Sequence, residues 1–289
     1  MHLGKKNPRD LMATLLAVLA LAAVARGDVA APATCDKSDT AALLAVKSSL
    51  GNPPALSGWN STASCCAWKG VTCNATSGRV TELTVFALNI SSPFPAAVAN
   101  LTALRSLNLA YNRLFGAIPA FLGPPALPSL TFVRLDGNRL SGTVPPSLAA
   151  ALDLSLVGNL LAGPLPPAFA AARFNSLDLA DNQLAGDASL LFGAGKPLNA
   201  VRLSRNRFRF DLGRVELPEA LDIFVVDHNL VFGSIPPAAA AKTRKWLAFD
   251  VSFNQLCGPI PQGRYTRRFG PRHFAGNKCL CGQPLPPCA

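Results

Sequence analysis

Charge is scarce in this sequence. Only 15% of its 289 residues are Asp, Glu, Lys or Arg, and 25 prolines interrupt the chain. Both features exclude a coiled coil, which needs long proline-free stretches with charged flanks. Acidic residues are the scarcer sign, 16 against 27 Lys and Arg, so the formal charge is +11. That imbalance points to an anionic partner: nucleic acid, a membrane surface or an anionic polymer. Histidine is rarer still, and beyond residue 27 only His228 and His273 occur. No cysteine lies between Cys73 and Cys257, and neither terminal cysteine group has paired C-x-x-C spacing. These absences exclude a structural zinc site, and no cofactor motif is present. Beyond residue 27 no apolar run approaches the roughly 20 residues of a membrane-spanning helix. A single-pass receptor is therefore not expected. What is plentiful is apolar side chain, 49% of the total. With this length it excludes both a disordered chain and a disulfide-held miniprotein.

The first residues carry their own order. Lys5, Lys6 and Arg9 precede an apolar run from Leu11 to Val24, and Ala25 and Gly27 supply small residues ahead of Asp28. This is the pattern of a secretory signal peptide over residues 1–27. Its removal takes away four basic residues (Lys5, Lys6, Arg9, Arg26) and one acidic (Asp10), which lowers the charge from +11 to +8. The eight cysteines fall into two groups, Cys35, Cys65, Cys66 and Cys73 at one end and Cys257, Cys279, Cys281 and Cys288 at the other. In a secreted chain they read as disulfides formed within each end. Four Asn-x-Ser/Thr sequons, at Asn60, Asn74, Asn89 and Asn100, are candidate N-glycosylation sites.

The middle of the chain repeats. Asparagines recur at 112, 138, 159, 182, 206, 229 and 254. Three and five residues before each stands an apolar pair, from Leu107/Leu109 to Phe249/Val251. Two residues after each lies Leu114, Leu140, Leu161, Leu184, Phe208, Val231 or Leu256. Glycine follows at the fourth position except at Phe210, and five repeats then carry an Ile/Val/Leu-Pro step. A degenerate repeat with Leu83, Val85, Leu88 and Ile90 comes first. The alternating pair predicts a short strand with one buried face. The asparagine amide is placed to satisfy backbone groups of its own turn and of the next coil. No such unit buries its apolar row alone, so the units must stack. The pattern is that of leucine-rich repeats. It predicts an α/β solenoid, a right-handed horseshoe of about eight 24-residue plant-type repeats with a parallel concave sheet and disulfide-bonded caps. The expected boundaries are 28–79 for the N-terminal cap, 80–262 for the repeats and 263–289 for the C-terminal cap. A short amphipathic helix is expected over Asp39 to Leu50.

The caps and three further stretches are more specific. Cys65-Cys-Ala-Trp-Lys-Gly-Val-Thr-Cys73 resembles the cap of plant extracellular leucine-rich repeat proteins. Three stretches, Gly186–Gly193, Phe210–Val215 and Phe253–Gly263 with the terminal Asn277–Cys288, resemble the plant polygalacturonase-inhibiting proteins. The resemblance spans essentially the whole chain beyond the leader, although that family usually has ten repeats. It implies the pairings Cys35–Cys65, Cys66–Cys73, Cys257–Cys279 and Cys281–Cys288. It also implies a secreted, cell-wall protein that binds and inhibits fungal or insect polygalacturonases in plant defence. The alternative is a non-inhibitory module presenting the same face to a receptor ectodomain or secreted peptide. Ice binding, known in relatives of the family, requires a flat, regular Thr/Ser/Asn array that the uneven charged columns here do not supply.

A leucine-rich horseshoe leaves its concave face open for binding. Residues four, two and one before each repeat asparagine are expected to point into it. The candidates in these columns are Asn108, Tyr111, Arg134, Asp136, Asp178, Asp181, Arg202, Ser204, Arg205, Asp227, His228, Asp250 and Phe253. Arginine and aromatic side chains of this kind anchor protein interfaces. An enzyme is not expected. Asp227 and His228 are adjacent, which by strand alternation sends them to opposite sides, and no nucleophile or metal motif accompanies them. The +8 charge and a basic stretch near the end, Lys242, Arg244, Lys245, Arg264, Arg267, Arg268 and Arg272, point to pectin rather than to nucleic acid.

Overall fold

In the computed structural model, residues 34–241, 243, 245–264 and 266–288 are described. The leader, Lys242 and Arg244 lie outside them. The chain opens on helix α1 (Lys37–Ser49), which buries Asp39, Ala42, Leu43 and Val46. It starts two residues before the expected Asp39 because Asp36 is the cap: one carboxylate oxygen accepts from the Ser38 and Asp39 N–H groups. Trp59 and Trp68 stack behind the helix at 5.6 Å. Disulfides Cys35–Cys65 and Cys66–Cys73 tie this cap together, and Cys257–Cys279 and Cys281–Cys288 tie the other.

Seventeen short strands follow among the described residues. β1 (Val71–Cys73) pairs antiparallel with β2 (Val80–Thr84). Parallel pairing then adds β3 (Ser106–Asn108), β5 (Phe132–Arg134), β7 (Asp153–Ser155), β9 (Ser176–Asp178), β11 (Ala200–Arg202), β13 (Ile223–Val225) and β15 (Ala248–Asp250) to the concave sheet. The central residues stand in register from Leu83 through Leu107, Val133, Leu154, Leu177, Val201 and Phe224 to Phe249, and all are buried. This is the apolar row that no coil could bury by itself.

A second sheet is built after the asparagines, from β4 (Phe115–Ala117), β6 (Arg139–Gly142), β8 (Leu160–Gly163), β10 (Gln183–Gly186) and β12 (Arg207–Phe208). The repeat glycines turn this edge with φ between +81° and +90°, a region closed to most side chains. At Phe210, which has no glycine, the ring is buried and the second sheet stops. A three-stranded sheet of β14 (Phe232–Gly233), β16 (Gln255–Pro259) and β17 (Cys279–Cys281) resumes beyond it.

The asparagines form a buried ladder. Asn159 is representative: its Nδ2 donates to the carbonyls of Leu156 (3.0 Å) and Val157 (3.3 Å) in its own coil and of Leu135 (3.0 Å) in the coil before. Its Oδ1 accepts the Leu140 N–H at 3.0 Å. The inter-coil link thus runs to the preceding coil, not the next one, because the turn places the amide under the strand already laid down. The ladder also runs past residue 262 into the terminal cap. Asn277 bonds the Val251 and Phe274 carbonyls and the Leu256 N–H, so the cap closes the stack with one more rung.

Candidate binding face

From β3 onward the strands of the concave sheet are three residues long and end four positions before each ladder asparagine. Alternation therefore governs only the earlier columns. The residues one before the asparagine lie outside the strands, with left-handed φ of +52° to +57° at Tyr111, Gly137, Asp181, Arg205, His228 and Phe253. This turn, not strand alternation, makes their side chains a ridge along the face. Tyr111 meets Phe86 edge-on at 5.5 Å, Arg205 Nε lies 3.7 Å from Asp181, and His228 stacks on Phe253 at 4.2 Å.

The same turn overturns the expected separation of Asp227 and His228. Their side chains meet, with His228 Nδ1 2.8 Å from Asp227 Oδ2. The arrangement still lacks an activated nucleophile. The Ser204 hydroxyl donates to Asp227 rather than to the imidazole, whereas a base must hold the nucleophile's own proton. His273 makes the matching contact to Asp250 at 2.9 Å, and Asp250 also accepts from the Ser252 N–H and hydroxyl.

Asp136 is not a free docking carboxylate. It is 5% exposed and accepts the Ser155 hydroxyl and the Val157 N–H at 3.1 Å, so it braces the next coil instead. Asn108 is similarly engaged, accepting the Ala110 N–H at 3.1 Å. Arg202 lies 3.9 Å from Asp178. Arg134 is exposed, sits over the Phe132 ring at 5.2 Å, and carries no ion pair among the described residues. Arg134, Asp178 and Arg202 border a depression of about 180 Å³, lined by residues from Phe132 to Arg134, Asp153 to Ser155, Ser176, Asp178 and Arg202.

Four contributors lay outside the expected columns. Phe86 occupies the position two before Leu88, which replaces the asparagine of the first coil, so no marker singled it out. Phe132, Asp153 and Ser176 stand six before their asparagines, and a further period-2 step along the strand would have reached them. Of the basic residues near the C-terminus, Arg264, Arg267, Arg268 and Arg272 are exposed, and Arg272 Nε lies 3.2 Å from His273 Nε2 beside the last concave strand. The sequon asparagines Asn60, Asn74, Asn89 and Asn100 are exposed too.

Burial pushes the Asp178 carboxyl above its ordinary value of 3.8. The Ala180 N–H and the Arg202 charge oppose the shift, and Asp136 and Asp181 add to it. A carboxyl raised in the folded state destabilises the fold as pH rises from its unfolded value through its folded one. Asp178→Asn is therefore expected to gain stability relative to the unsubstituted protein at about pH 7 compared with about pH 4. Urea unfolding at the two pH values measures it. A gain that is larger at the acid value would contradict the assignment.

The only group of metal-type ligands among the described residues, Cys35, Cys65, Cys66 and Cys73, is consumed in disulfides. No described helix is long and apolar enough to cross a membrane.

Comparison with known proteins agrees with this architecture. The leucine rich repeat N-terminal domain family matches residues 36–74, and the Leucine Rich Repeat family matches 103–124 and 129–151. Polygalacturonase inhibitor 2 of Arabidopsis thaliana is 34% identical, over 88% of this chain and 92% of its own. A polygalacturonase inhibitor of Pyrus communis is 35% identical over the same shares. The crystal structure of a plant ice-binding protein is 32% identical, with a TM-score of 0.66 over 89% of this chain and 99% of that one. With this identity along nearly its whole length, the chain belongs to the polygalacturonase-inhibitor family of plant leucine-rich repeat proteins.

Proposed function

We propose that the protein binds and inhibits microbial or insect endopolygalacturonases in plant defence, from the cell wall, through the concave face. The observation that carries the reading is the open parallel sheet with its mixed strip of charges, in a chain whose relatives are named as polygalacturonase inhibitors. A polygalacturonase cleft binds a polyanion and holds catalytic carboxylates. Arg134, Arg202 and Arg205 meet acids of the enzyme in and around that cleft, while Asp178, Asp181, Asp227 and Asp250 meet the cationic rim. Asp136 drops out of this set because the fold has already used it. Tyr111, His228 and Phe253 supply the aromatic area that such interfaces concentrate.

Inhibition occurs in this reading by occlusion, so no catalytic residue is required of the inhibitor. Titrating the purified protein against a panel of fungal and insect endopolygalacturonases is expected to slow at least one of them. No inhibition of any at micromolar protein sinks the reading. The exposed Arg264, Arg267, Arg268 and Arg272 suit retention on de-esterified pectin, and retention on a polygalacturonate column should weaken with salt. A receptor-ligand role gains no specific support, since a structurally similar peptide-hormone receptor is 24% identical and shares the fold alone.

A further inference from the structure

The concave face is not evenly filled. Strand β7 and its continuation present only short side chains, Asp153, Ser155 and Val157, and end on Gly158. Gly158 has nothing within 3.8 Å of the site of a Cβ atom, so the ridge is interrupted at this coil. The coil before it rises to Arg134, and the Tyr111 ring from one coil further back lies over that coil's Gly137. The coil after it rises to Asp181, with Arg202 and Arg205 on the coil beyond. With neighbouring strands about 4.8 Å apart, the walls on either side of β7 stand about 10 Å from each other. The result is a trough running across the sheet, with the 180 Å³ depression at one end.

The contents of the trough define its occupant. The depression is smaller than the roughly 300–1,000 Å³ of a small-molecule site and is sized for one side chain. Acidic groups line it as well as basic ones, which opposes a uniform polyanion such as pectin. Its charges are not equally committed. Asp178 has Arg202, and Asp153 accepts the Asn175 amide at 3.3 Å. Arg134 is held in place on Phe132 but has no carboxylate among the described residues. A guanidinium fixed in this way is pre-organised for a carboxylate brought by a partner.

We infer that the trough along β7 seats a protruding loop of the enzyme partner, and that an aspartate or glutamate at the tip of that loop meets Arg134. The inference rests on the concave face being the inhibitory surface, and it specifies where on that surface the enzyme enters.

The test uses the full chain and any one enzyme that it inhibits. Ser176→Trp fills the depression, and Arg134→Glu reverses the charge that the loop is to meet. Each is expected to raise the inhibition constant at least about 30-fold, the scale of an interface hot spot. Arg113→Glu, the same charge change on the exposed residue after Asn112, is expected to stay within about 2-fold. Thermal midpoints show whether each variant is folded. Arg134 is an exposed side chain, so its variant remains informative even if Ser176→Trp misfolds. Unchanged inhibition by folded Ser176→Trp and Arg134→Glu overturns the trough while leaving concave-face docking intact. Inhibition by neither these variants nor the unsubstituted protein overturns both. Displacement of the enzyme from the inhibitor by saturating oligogalacturonate, with the enzyme's own substrate cleft chemically blocked and binding read directly, would identify a polysaccharide occupant and also overturn it.

Discussion

Replacing Arg79 by alanine is expected to cost about 3–5 kcal/mol of stability, the range for orphaning one partner of a buried ion pair. The other partner is Asp39, which is fully buried in the first turn of α1. Arg79 reaches it with two guanidinium nitrogens, Nε at 2.9 Å and Nη2 at 3.1 Å, and the Val80 N–H adds a third bond at 2.7 Å. Arg79 Nη2 also donates to the Thr102 hydroxyl at 2.8 Å. Cap helix, first concave strand and the following turn thus meet at one guanidinium. The Asp39 hydrogen bond raises the Arg79 pKa above its ordinary value. Removing the guanidinium leaves a buried carboxylate with one backbone donor from Val80. Removing both side chains, in Asp39→Ala with Arg79→Ala, is expected to cost less than Arg79→Ala alone, because the stranded charge is gone. Urea unfolding of a Trp246→Phe background, followed by the fluorescence of Trp59 and Trp68 that stack in the same cap, reads the effect locally. A loss below about 1 kcal/mol in Arg79→Ala would show that the pair is not the clamp described.

The second large effect belongs to the ladder. Asn159→Ala is expected to cost about 3 kcal/mol, since it strands the buried Leu140 N–H and weakens three carbonyl contacts. Each coil is stable only against its neighbours, so the loss falls on the interfaces on both sides. The adjacent Leu160 provides the control. Its side chain is half exposed, and Leu160→Ala should change stability by no more than about 0.5 kcal/mol. Equal effects of the two substitutions in chemical unfolding would remove the amide from its role as the link between coils.

The asparagines were legible in the sequence because their role repeats. A need imposed at every level of a stack leaves the same residue at the same spacing, and the flanking apolar pairs mark the strand beside it. The glycines of the second edge are legible for the same reason, and Phe210, the one departure, falls where that sheet stops. The candidate face was only partly legible. Its columns could be read from strand alternation, but the residues one before each asparagine project by a left-handed turn that alternation does not describe. That is why Asp227 and His228 were expected apart and are found hydrogen bonded. Phe86 was hidden because its coil has Leu88 where the others have asparagine.

The sequence by itself determined the stacked coils, the buried row and the two cysteine-rich ends, since each follows from spacing along one chain. Only the tertiary structure decided which charges remain available. Asp136 and Arg134 stand two residues apart, yet one is buried against the next coil and the other has no carboxylate partner among the described residues. Arg202 and Arg205 look equivalent to Arg134 in the sequence, but each stands beside an aspartate about 24 residues away. The physical reason is that pairing between coils is set by lateral register in the stack. A residue's nearest charged neighbours are therefore those one full coil away, and the chain order alone does not say whether they meet.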